Sequence, residues 1–94
     1  MDIRTGNIIC SCKIYGDSVE YIEWSPNSRY IAVVGKDQSK NKNVMEVWHV
    51  KRAEKIFVYN FDLFEPTSLA WSPDSKHVAY CDTKLVRVWE INDL

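Results

Sequence analysis

The sequence predicts an all-β chain built from two copies of one antiparallel unit. Three observations predict it. "EWSPNS" at residues 23–28 returns as "AWSPDS" at residues 70–75, 47 positions later. The same shift aligns Ile9 with Ile56, Ile14 with Phe61, Ile22 with Leu69 and Ile31-Ala32 with Val78-Ala79, and a fixed period of this length marks a repeat architecture. Apolar residues recur at every second position or in short runs. The three-and-four spacing of an amphipathic helix is missing, even over Val44–Tyr59, where a helix is the main rival.

Each copy resolves into short segments rich in β-branched and aromatic residues, bounded by turn residues. "NIICSCKI", Asn7–Ile14, matches the later "KIFVYNF" at residues 55–61 and is expected to be an outer strand without a unit of its own. Val19–Trp24 is the first inner strand, and Ser25–Ser28 is a tight turn in which Pro26 pre-sets φ. Arg29–Gly35 follows. The polar stretch "GKDQSKNKN" then holds six residues that the second copy lacks, as expected of a loop that absorbs insertions. Val44–Val50 and residues 55–61 finish the first unit. The second has Thr67–Trp71, the turn Ser72–Ser75 around Pro73, Lys76–Cys81 and Leu85–Ile91. "YIAVV" and "IFVY" are almost wholly apolar, which predicts sheets covered on both faces.

Four short strands per unit, "WSPDS" after one and "VRVW" ending another resemble the WD40 repeat over the whole chain. The resemblance implies WD40-like β-propeller blades, each a four-stranded antiparallel sheet with strands a to d running outward, and strand d written in the next repeat. The expected divisions are the end of a strand c plus an orphan strand d at 1–14, a first blade at 15–61 and a second blade, strands a to c, at 62–94. The second blade lacks strand d unless Asn7–Ile14 supplies it, by pairing with Leu85–Ile91 in the same chain or in a neighbouring copy. The chain departs from the family in several slots. The Gly-His pair is absent, and Trp-Asp becomes Trp48-His49 and Trp89-Glu90, so the family's Trp–Ser/Thr–His–Asp hydrogen-bonded tetrad is incomplete. Packing between blades is expected to compensate. The sequence is also similar, more narrowly, to a divergent WD family of centrosomes and spindle poles. Because two blades cannot close a propeller of about four to eight, the ring needs further blades from the same longer chain or from identical copies.

The family resemblance implies a non-catalytic protein-interaction scaffold that presents rim loops to other proteins. Those loops are Tyr15–Ser18, Lys36–Asn43, Asp62–Pro66 and Asp82–Lys84. They give candidate contact residues Tyr15, Asp17, Lys36, Lys40, Lys42, Asp62, Leu63, Phe64 and Glu65; the repeat positions Trp24, Pro26, Trp48, Trp71, Pro73 and Trp89 are structural. Lys36, Lys40 and Lys42 make a basic loop suited to an acidic partner, and Leu63 and Phe64 are large apolar residues in a connection. A metal-binding or enzymatic module using Cys10, Cys12 and Cys81 is the first alternative, but the cysteine spacing fits zinc poorly. Two histidines, His49 and His77, in strand positions make no catalytic triad, and three scattered glycines make no phosphate loop. No cofactor is expected. An RNA-binding propeller surface is the second alternative; a net charge of −1 with no basic stripe argues against it. No stretch reaches the roughly 18 apolar residues of a membrane span, and "MDIRTGN" does not start like a signal peptide. The three cysteines are therefore expected to be reduced thiols in an intracellular, cytoplasmic protein.

Overall fold

The computed structural model describes residues 6–8, 10–62 and 66–92. Seven strands follow one another: β1 (Ser18–Trp24), β2 (Tyr30–Asp37), β3 (Lys42–His49), β4 (Glu54–Asp62), β5 (Pro66–Trp71), β6 (His77–Asp82) and β7 (Val86–Glu90). They form two antiparallel meanders, a four-stranded sheet ordered β1-β2-β3-β4 and a three-stranded sheet ordered β5-β6-β7. The fold is all-β, as expected, with two blade-like antiparallel sheets. No helix among the described residues is long and apolar enough to cross a membrane.

The two turns that carry the repeated motif are built alike. In the first, Ser28 N–H donates to Ser25 C=O at 3.0 Å, and Ser28 takes φ 63°. In the second, Ser75 N–H donates to Ser72 C=O at 3.0 Å, and Ser75 takes φ 61°. Ser25 Oγ accepts from Tyr30 N–H and Ser72 Oγ from His77 N–H, each at 3.0 Å. Asn27 and Asp74 accept from Arg29 N–H and Lys76 N–H. Side-chain oxygens thus satisfy the amides the tight bend leaves free. This is why the motif needs Ser, then Asn or Asp, around its proline.

Strand alternation then separates the faces. Tyr30, Ala32 and Val34 of β2 and Met45 and Val47 of β3 point toward the second sheet. They form one core with Leu69, Val78, Tyr80 and Ile91, and Phe57, Trp71 and Trp89 pack against it. The intervening residues Ile31, Val33, Val44, Glu46 and Trp48 point the other way. In the second sheet Arg87 and Trp89 face the first: Trp89 packs on Tyr59 at 5.1 Å between centroids, and Arg87 lies 5.7 Å over the Tyr59 ring. Val86 and Val88 face outward, 69% and 62% exposed. The two sheets therefore stack head to tail, each presenting the same repeat positions in the same sense.

Two expectations need correction. The "GKDQSKNKN" stretch is not one long loop. β2 continues to Asp37 and β3 begins at Lys42, with Lys36↔Asn43 and Asp37↔Lys42 in register, so only residues 38–41 turn. The extra residues lengthen the hairpin, and Asn41 takes the left-handed bend at φ 54°.

Asn7–Ile14 is the second correction. Its described residues, 6–8 and 10–14, are not in a strand, and among the described residues β7 pairs only with β6. The segment instead crosses the outward face of the first sheet. The Ile14 side chain and Tyr15 carbonyl lie against Gly35, where an added Cβ would come within 2.6 Å of that carbonyl oxygen. Tyr15 N–H donates to Glu46 Oε2 at 3.1 Å. The physical reason is burial: Val33 and Val44 make an apolar face on the first sheet, and the segment helps to keep it from water.

Candidate functional site

The β1 entry and the β2–β3 hairpin meet at one rim. Asp17 N–H donates to Lys36 C=O at 2.8 Å, and Gln38 N–H donates to Asp17 Oδ2 at 3.1 Å. Gly16, at φ 108°, permits this approach, since a Cβ there would meet the Lys36 carbonyl oxygen at 2.7 Å. Asp37 closes the hairpin: its Oδ1 accepts from Ser39 Oγ at 2.7 Å and from Lys40 N–H at 3.3 Å. The Ser39 hydroxyl, helped by Tyr15 and Lys40, holds the Asp37 carboxyl below its ordinary 3.8. Lys40 Nζ sits 5.7 Å over the Tyr15 ring. The Tyr15 hydroxyl and the Asp37 carboxylate raise the Lys40 ammonium above its usual range.

Tyr15, Asp17, Lys36 and Lys40 are thus brought together, with Lys42 at the start of β3 opposite Asp62 at the end of β4. Leu63, Phe64 and Glu65 lie outside the described residues. The second blade repeats the arrangement on the same rim, where Asp82 Oδ1 accepts from Lys84 N–H at 2.7 Å and Leu85 N–H at 2.8 Å. An aspartate at the end of strand b fixes the hairpin tip in both blades by accepting main-chain hydrogen bonds. Lys40 and Lys42 are exposed beside the first of these tips.

Sequence reasoning missed Glu46. It is 1% exposed, in the middle of the apolar run "VMEVW". Its Oε1 accepts from Trp48 Nε1 at 2.8 Å, while Oε2 accepts from Tyr15 N–H at 3.1 Å and Lys55 Nζ at 3.4 Å. Its position two residues before Trp48 was the available signal, because that spacing puts both on one face. The Trp48 indole therefore finds its acceptor in its own strand, without the family's tetrad.

The cysteine alternative fails on placement. Cys12 lies near Glu46 on the outward face of the first sheet. Cys81, adjacent to inward-facing Tyr80, points to the outward face of the second. The three thiols do not converge, and among the described residues no group of three or more His, Cys, Asp or Glu is placed to hold a metal ion. Burial, together with the Cys10 sulfur 3.4 Å away, pushes the Cys12 thiol from 9.0 up to about 11. Such a thiol stays protonated at neutral pH and is a poor nucleophile. His49 packs edge-on to Tyr30 at 5.6 Å and accepts from Arg52 N–H, as a structural residue does.

The fold and rim define a class: repeated antiparallel blades, one of four strands and one of three, with aspartate-fixed hairpins, stacked on aromatic faces. Residues 62–90 match the family model of the WD domain, G-beta repeat. That match lies on the second blade and supports the WD40 family; the first blade carries the same turn geometry. WD40 repeats are in general protein-interaction units without catalytic chemistry. No curated protein matches the chain.

Proposed function

We propose that the chain is part of a non-catalytic WD40 interaction scaffold whose rim binds an acidic segment of a partner protein. The observation that supports this most is the ordered rim cluster. Asp17 and Asp37 accept main-chain hydrogen bonds, and the exposed Lys40 sits over the Tyr15 ring with exposed Lys42 next along the hairpin. A rigid surface of this kind binds without a large ordering cost. Completing a ring falls to further blades, of a longer chain or of identical copies. Free thiols at Cys10, Cys12 and Cys81 are in keeping with an intracellular setting.

The test is fluorescence anisotropy with a labelled glutamate-rich peptide, a neutral peptide of equal length and a single-stranded RNA oligonucleotide. The acidic peptide is expected to bind best. A double charge reversal, Lys40→Glu with Lys42→Glu, should weaken it by roughly tenfold, about 1.4 kcal/mol. No preference for the acidic peptide, or no response to the reversal, would overturn the reading. Tighter binding of the RNA would favour the nucleic-acid alternative.

A further inference from the structure

The face of the first blade turned away from the second is open at one end. A cleft of about 610 Å³ lies there, lined by Trp24, Ser28, Val50 and Lys51. The repeat gives these residues meaning. Trp24 and Ser28 correspond to Trp71 and Ser75 at a shift of 47, and, past the six-residue hairpin insertion, Val50 and Lys51 correspond to Ile91 and Asn92 at a shift of 41. In the second blade the first three of these hold the junction together. Trp71 stacks on Tyr30 at 5.9 Å with the rings 14° apart, and its Nε1 donates to Glu23 C=O at 2.9 Å. Ser75 Oγ accepts from Asn27 N–H at 2.9 Å, and Ile91 enters the shared core. The open face carries the same fittings, and Trp24 is left 50% exposed.

We propose that this face receives the second blade of another copy of the chain, joined head to tail. The proposal rests on the reading of the two sheets as successive blades. The complementary surface is present at the opposite end of the molecule. Tyr30, Glu23 C=O and Asn27 N–H, which receive Trp71 and Ser75, correspond to His77, Ala70 C=O and Asp74 N–H. His77 therefore supplies the ring for Trp24, Ala70 the acceptor for its indole, and Asp74 the donor for Ser28 Oγ. Met45 and Val47, buried at the internal junction, correspond to Val86 and Val88, which lie bare on the outward face of the second blade. Each half of the contact thus repeats one already made within the chain. The contact is heterologous, because the two surfaces differ, so it builds a ring or an open stack and not a two-fold dimer. Cys12, Ile14 and Tyr15 cover the Glu46 end of the receiving face. The incoming blade therefore engages the Trp24 end first, and full seating displaces this segment.

Two variants of the full chain, each blocked at one surface, test this by sedimentation velocity. Trp24→Gln removes the receiving anchor and Val88→Glu charges the incoming face; both sites are solvent-exposed, and near-ultraviolet circular dichroism checks that each variant is folded. The unaltered chain is expected to grow in mass from micromolar to millimolar concentration. Each variant alone should remain monomeric, and the equimolar mixture should form a one-to-one dimer through its intact pair of surfaces. A monomeric unaltered chain throughout, or a mixture no larger than its components, would overturn the proposal. The acidic-peptide titration, run on either monomeric variant, reports on the rim separately, so failure of one leaves the other readable.

Discussion

Glu46→Gln is the most informative single change in the first blade. The substitution keeps the volume and removes the charge. The carboxylate now serves three donors through two oxygens, with Trp48 Nε1 on Oε1 and with Tyr15 N–H and Lys55 Nζ on Oε2. An amide has one acceptor oxygen, so in either orientation its NH₂ group confronts a donor. With the oxygen toward Trp48, the Tyr15 amide is stranded; with the amide flipped, the indole is stranded. A buried donor without a partner costs about 1–3 kcal/mol, and the remaining bond loses its charge assistance. The expected loss is about 2–3 kcal/mol, a large share of the stability of a small domain. Lys55 is 39% exposed, so its ion pair with Glu46 is screened by water and Lys55→Met should cost no more than about 1 kcal/mol. Urea unfolding followed by tryptophan fluorescence measures both. Loss of less than about 0.5 kcal/mol in Glu46→Gln would refute the buried-acceptor argument. Equal losses in the two variants would show that the ion pair, not the neutral donors, carries the effect.

Three further outcomes are expected. Trp71→Ala should cost about 3 kcal/mol in dilute solution, from lost packing, the Tyr30 stack and the Glu23 hydrogen bond; the half-exposed Trp24→Ala should cost about 1 kcal/mol. Urea midpoints compare them, and equal costs would contradict the head-to-tail stacking. Ser28→Gly should stabilise by about 1 kcal/mol, because Ser28 occupies a left-handed conformation that glycine adopts freely. Ser75→Gly should gain less in the same assay, since Ser75 Oγ also accepts from Asn27 N–H across the junction. Lastly, the Ser72 hydroxyl and Lys76 N–H hold the Asp74 carboxyl below its ordinary 3.8. A lowered folded-state value favours the fold above pH 3.8, and that contribution fades as pH falls through the folded-state value. Asp74→Asn should therefore flatten the acid limb of the stability profile; an unchanged limb would exclude Asp74 as a contributor.

The alternation of apolar residues, the proline turns and the 47-residue shift determined the strands, their antiparallel order and the correspondence between the blades. These features are local: each depends on side chains within a few positions of the bend or strand they shape. Where pairing stops within "GKDQSKNKN" is not legible, because its polar residues suit a strand end and a loop alike, and the grouping of Tyr15 and Asp17 with Lys36 and Lys40 joins segments about twenty residues apart that no local pattern relates. Asn7–Ile14 has the pattern of a strand and forms none among its described residues. Whether a strand-like segment pairs with an edge or covers a face is decided by which apolar surface is bare, and only the stacked sheets define that surface. Glu46 was hidden likewise, because its three donors come from β3, β4 and the chain before β1. Trp24 and Trp71 are the sharpest case. The sequence makes them equivalent, yet one is stacked on Tyr30 and the other stands half in water. The difference lies wholly in what faces them, and a repeat reports the shape of each unit but not which of its neighbours is present.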